Sequence, residues 1–267
     1  QYLDYTTDIY NVNPNSDLQA ALSTSPWHVS NRSERLLAVS PQGAAFVSER
    51  SGHAQVWLTQ GRDSAQLSRF NEQQQVQQLL WHNDNLLVLV NNQLFLLDQN
   101  SAALTPYPIP HEVPGRFASC NNVLYWTALT EHGWQLFREQ DTNKQTRHQD
   151  VVDVRCGPDN SLLLKFANQP SPGLLKDSAL TMLSVKLDWR DIEPEQWFTD
   201  EQGVYWLDKA THSLMRYDWQ SAQLESQLWP EQTLPLAIYR QDDGNGLGYV
   251  VRQRPYDTDI VWLKNRR

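Results

Sequence analysis

The sequence predicts an all-β chain folded as a six-bladed β-propeller closed by an N-terminal strand. Three observations predict it. A strand–turn–strand unit recurs along the whole chain. The residues just before the leading strand of each copy are Gly43, Asn85, Asn122, Ser161, Gly203 and Gly246, a spacing of 37 to 43 residues. The apolar runs, such as Leu86 to Val90, have the length of strands. A period near 40 residues with about four strands per copy is the spacing of propeller blades. One such sheet cannot cover both its faces alone, whereas stacking against neighbours does so.

Residues 1–19 fall outside the repeat. Asn11 to Ser16 is rich in turn formers around Pro14, so the segment reads as an arm crossing the surface. Residues 20–267 are then a single propeller domain. Ala20-Ala21-Leu22-Ser23 copies Ala65-Gln66-Leu67-Ser68, Ala102-Ala103-Leu104-Thr105 and Ala222-Gln223-Leu224, each of which follows a third strand. The last unit runs short of chain after Trp262. Residues 20–24 are therefore expected to supply its outer strand by pairing near residues 258–264.

The first blade, about 30–70, shows the unit most clearly. Pro41 and Gly43 make a turn, Ala44 to Ser48 a strand, Ser51-Gly52 a second turn, and Val56-Trp57 begin the next strand. In the second blade, 71–110, Asn91-Asn92 turns Leu86–Val90 into Gln93–Leu97. In the third, 111–149, His132-Gly133 joins Val123–Trp126 to Trp134–Phe137. The fourth, 150–187, is the least regular. Pro170 and Pro172 cannot lie inside a paired central strand, so a long loop or a missing strand is expected there. The fifth, 188–230, repeats Val204–Leu207 and Ser213–Tyr217. The sixth, 231–267, carries Leu247–Val251 and Asp259–Trp262.

The segment Ser40-Pro41-Gln42-Gly43, Ala45-Phe46-Val47-Ser48, Arg50-Ser51-Gly52 and Val56-Trp57 resembles the TolB-type propeller repeat, also called the WD40-like or PD40 repeat. Gln42 departs from that pattern's usual Asp, and Gly157-Pro158-Asp159-Asn160 is a partial second copy. The resemblance implies a propeller and a tendency to bind partners. It brings no catalytic residue with it.

Composition narrows the function. A net charge of -9 argues against nucleic acid or an anionic membrane as a bulk electrostatic partner. No apolar run approaches the ~18 residues of a membrane span. The sequence does not open on Met, so a processed or partial chain is expected, with any membrane segment outside it. Eleven tryptophans suit wide sheet-on-sheet contacts.

Cys120 and Cys156 are the only cysteines and stand at matching corners of adjacent blades. Their separation excludes a Cys-x-x-Cys motif. An inter-blade disulfide in an oxidising compartment and two buried thiols both remain open. His53, His132 and His212 fall in turns of alternate blades, too far apart for one metal, so no metal or cofactor is expected. Gly244-Asn245-Gly246-Leu247-Gly248 leads into a strand, which makes it a turn and not a phosphate loop. Asp200-Glu201 and Asp242-Asp243 read as solvated corners. Asn31-Arg32-Ser33 has the form of a glycosylation sequon.

Recognition is expected on the face carrying the turns between second and third strands, or at the channel mouth beside it. Arg50, His53, His132, Trp134, His212, Arg254 and Tyr256 mix cationic and aromatic groups there. The partner is a protein or small-molecule signal. TolB-type propellers serve as periplasmic interaction modules, and similar ones form the extracytoplasmic part of membrane-anchored regulators resembling the CadC/ToxR group. The resemblance thus implies a periplasmic sensor without enzymatic activity. The alternatives are a free TolB-like scaffold and the propeller domain of a peptidase or hydrolase.

Overall fold

A computed structural model of the chain describes residues 5–13, 23–30, 32–60, 63–109, 114–139, 148–184, 189–229, 234–240 and 247–255. Six antiparallel sheets form the six blades of a propeller. Five have four strands; the third has three strands among the described residues, extended by a bridge from Gln135 to Gln149.

The innermost strands are Glu34–Ser40, Val76–His82, Pro114–Cys120, Val151–Cys156, Trp197–Thr199 and Ala237–Arg240, and they surround the central channel. The next strand of each blade lies between two neighbouring sheets. It is covered on both faces and therefore reads as a continuous apolar run. Leu86 to Val90 and all five residues of Leu162–Phe166 are buried. Outer strands such as Asp63–Gln66 and Ala179–Met182 are only four residues long and largely exposed, and such short edges limit pairing with another chain.

The core lies between blades. Val47 and Val56 of blade one pack with Leu79, Leu86 and Val88 of blade two. Leu87 and Leu89 meet Phe117, Leu124 and Trp126 of blade three. Polar side chains tie the same seams together: the Gln78 amide donates to the Phe117 carbonyl at 2.8 Å and accepts from its N–H at 3.1 Å. Several hairpins turn on Asn-Asn or Asn-Asp pairs with both residues at positive φ, as at Asn91 (47°) and Asn92 (62°). That is the two-residue turn whose twist matches the flanking strands.

Two expectations are corrected. The described part of residues 1–19 is not a surface arm: Tyr5–Asn13 is the third strand of blade six, paired with Leu247–Pro255. The outer strand is Ser23–His28, which pairs with Tyr5–Asn13. The ring is thus closed by two N-terminal strands within one sheet. Residues 20–22 and 258–264, where the other pairing was expected, lie outside the described residues. Blade four is also regular. Pro170 and Pro172 sit in the turn, while Gly173–Lys176 and Ala179–Met182 complete four strands. Asp63–Gln66, Leu104–Pro106 and Leu224–Leu228 are outermost strands, as their Ala-x-Leu copies suggest.

Cys120 and Cys156 form a disulfide with Cα atoms 5.4 Å apart, joining the last residues of two adjacent innermost strands.

Candidate functional site

Each innermost strand runs away from one face of the ring, the second strand returns to it, and the third leaves again. The starts of the innermost strands therefore share a face with the turns between second and third strands. That is the face expected to carry recognition.

At its centre the channel opens into a mouth cavity of ≈ 590 Å³. Arg35, Arg116, Asp153, Lys165 and Glu195 line it, with Trp134 and Leu36 among its apolar walls. The volume lies within the range of small-molecule sites. A narrower cavity of ≈ 230 Å³ continues down the channel.

The charges are held in a network. Arg116 Nη2 is 2.7 Å from Glu195 Oε1. Arg155 Nη1 lies 3.3 Å from Asp153 Oδ1, its Nη2 donates to the Pro194 carbonyl at 2.9 Å, and its guanidinium sits 4.9 Å over the Trp197 ring. Asp153 also accepts from the Trp197 indole at 3.1 Å and from the Val154 N–H at 2.8 Å. Burial still dominates and pushes its carboxyl up from the usual range, against the pull of Arg155 and Arg116. Lys165 is 7% exposed and donates to the Ile192 and Arg190 carbonyls. Burial pushes its ammonium down, opposed by Asp153, Glu193 and Asp191.

Trp134 reaches the mouth because Gly115 makes room. A Cβ on Gly115 would stand 2.6 Å from the indole and 2.4 Å from Thr127 Oγ1. The other expected recognition residues are spread round the rim. His53 is 3.7 Å from Glu72, bordering a polar groove between blades one and two. His132 is exposed beside Glu131 at 3.4 Å. His212 is half-buried with φ 53°. Arg254 lies in the second strand of blade six, opposite Thr6, and Tyr256 lies outside the described residues. Arg50 turns inward. Its guanidinium is 3.0 Å from buried Glu34 and stacks near Phe46 and Trp57, so it holds blade one together. Among the described side chains of that set, Trp134 alone lines the mouth cavity. Asp200 accepts the N–H groups of Gln202 and Gly203 at 2.8 Å and shapes a turn; Asp242 and Asp243 lie outside the described residues.

Arg116, Asp153, Lys165 and Glu195 belong to no motif. Two carry a sequence signal: Asp153 and Lys165 are charges set inside apolar strand runs, Val151–Val154 and Leu162–Phe166. Among the described residues no group of three or more His, Cys, Asp or Glu is placed to hold a metal ion, and no helix is long and apolar enough to cross a membrane.

No protein-family model matches the chain, and no curated protein does either. Membership of the TolB or CadC/ToxR groups gains no support beyond the propeller itself. Solved structures do share the fold. Catalytically inactive virginiamycin B lyase from Staphylococcus aureus, with quinupristin, is 11% identical with TM-score 0.55, over 92% of this chain and 95% of that one. A chain of a nidogen/laminin complex is 10% identical with TM-score 0.57, over 83% and 93%. The extracellular domain of a hybrid two-component system from B. thetaiotaomicron is 12% identical with TM-score 0.53, over 84% and 33%. The fold therefore hosts a named lyase as well as binding proteins, and the expectation that the chain is not an enzyme is overturned. That expectation rested on a resemblance that brings no catalytic residue with it, whereas a propeller site is assembled from distant strands.

Proposed function

We propose that this chain is an extracytoplasmic recognition propeller that takes a small anionic molecule at the channel mouth. The observation that carries the reading is the mouth itself: Arg35, Arg116 and Lys165 face one cavity of ligand size in a chain of net charge -9. Arg116 spends one side of its fork on Glu195, and a guanidinium has five donors, so it can take a ligand carboxylate beside that pair. Trp134 and Leu36 would cover the ligand's apolar body.

The disulfide supports a site outside the reducing cytoplasm. The occurrence of the same fold in the extracellular domain of a two-component system favours a sensory use, in which the ligand is a signal. Thermal unfolding in the presence of a panel of mono- and dicarboxylates tests the reading. At least one should raise the midpoint in a saturable way, and Arg116→Gln should abolish the rise. A panel without any saturable shift, or shifts kept in the variant, would contradict it.

A further inference from the structure

On the face opposite the mouth, the seam between blades two and three holds a second cluster of chemical interest. It is built by strand ends. His82 closes the innermost strand of blade two, and Ser119 is the penultimate residue of the innermost strand of blade three. Glu139 follows the third strand of blade three, and Tyr107 follows the outer strand of blade two.

Ser119 Oγ is 2.8 Å from His82 Nδ1. On the other side of the ring, Nε2 is 3.6 Å from Glu139 Oε2 and 3.1 Å from the Asn83 amide. Glu139 is itself fixed: it accepts the Tyr107 hydroxyl and, at 3.4 Å, the Leu124 N–H. The Tyr107 hydroxyl is held as a donor, because burial and Glu139 push its ionisation upward. His82 is 5% exposed, so the imidazole is shielded, while Ser119 is half-buried and lines the channel cavity. The Cys120–Cys156 disulfide adjoins Ser119 and fixes that strand end.

We propose that Ser119 is a nucleophile activated by His82, with Glu139 as the positioning residue, and that the site cleaves small carboxylic esters entering the channel. The roles follow from geometry. A nucleophile, a base within hydrogen-bond reach and a third group orienting the base are the parts that acyl transfer needs. In the tautomer that the proposal requires, the proton is on Nε2, where it faces the Glu139 carboxylate at 3.6 Å and, after a half-turn of the Asn83 amide, the Asn83 oxygen. Nδ1 then offers its lone pair to the Ser119 hydroxyl.

In the first step Ser119 Oγ bonds to the ester carbonyl carbon while its proton passes to Nδ1. The carbon–oxygen bond to the alcohol breaks, and the alcohol leaves with that proton. Water then gives a proton to Nδ1 and its oxygen to the acyl carbon. The bond to Oγ breaks, Ser119 recovers its proton, and the carboxylic acid departs. No co-reactant besides water is required. This site is separate from the mouth, and its failure leaves the recognition reading untouched.

The test uses the whole chain with a fluorophosphonate probe and with 4-nitrophenyl acetate. Peptide mass analysis should find the probe on Ser119, and Ser119→Ala should abolish that adduct. Ester hydrolysis above buffer should fall at least about 100-fold in Ser119→Ala and in His82→Gln. Glu139→Gln should lower kcat/KM about tenfold and displace its pH profile, which a purely structural role would not do. If Ser119→Ala does not fold, the wild-type adduct decides alone. Absence of an adduct on Ser119 between about pH 6 and 9 would overturn the proposal, as would wild-type hydrolysis rates in a folded Ser119→Ala.

Discussion

At the scale of single residues, the buried polar groups do most to fix which blade meets which. His28 is the clearest case. Its ring stacks on Phe46 at 4.3 Å, and Nε2 shares a hydrogen bond with Thr59 Oγ1 at 2.8 Å. It therefore pins the outer strand of blade six onto blade one. Burial, and then the Arg50 charge, push its pKa down to about 4. The unfolded chain binds a proton near pH 6.5, before the folded chain does. Stability from this group is thus complete above pH 6.5 and is lost as pH falls toward about 4. With allowance for solvent screening the loss is about 1–2 kcal/mol. Urea unfolding at pH 7.5 and pH 4.5, compared between wild type and His28→Asn, measures it. The wild type should lose more stability on acidification than the variant; equal losses would remove His28 from this role.

Strands and blades are the next scale, and here the ring's closure is decided. Tyr5–Asn13 is a polar strand by composition, yet Thr6, Asp8, Ile9 and Val12 are all buried, Ile9 against blade one and Val12 against blade five. Ile9 and Val12 alone stabilise the ring by roughly 3–6 kcal/mol. Deleting residues 1–28 would also bare the edge of Leu247–Pro255. The thermal midpoint should drop by about 10 °C or more, and a truncated chain melting at the wild-type temperature would show that the N-terminal strands do not close the ring. This closure was legible only in part. The Ala-x-Leu copies mark the outer strands, but Tyr5–Asn13 lacks apolar alternation and its partner lies over 200 residues away. The inner five blades were legible because their second strands are covered on both faces, and so are written as unbroken apolar runs. The prolines of blade four misled because a turn of six residues, Ala167 to Pro172, absorbs both.

Across the whole molecule the charge is distributed unevenly. A chain of net charge -9 gathers Arg35, Arg116 and Lys165 at one end of its channel, against Asp153 and Glu195, with Arg155 lining the narrower cavity below. That arrangement was not legible, because those residues come from different strands of several blades and share no spacing. The rim histidines were legible as turn residues, yet the ring holds them apart. Recognition at the mouth is the central claim, and Trp134 reports on it from the cavity wall. Protein labelled with 5-fluorotryptophan, its Trp134 signal assigned through Trp134→Phe, can be titrated with the carboxylate that most raises the thermal midpoint. The Trp134 resonance should move in a saturable way and weaken in response as salt rises, while that of Trp229, buried between blades five and six, stays in place. A saturable shift at Trp229 with none at Trp134, or no shift at either, would contradict the account.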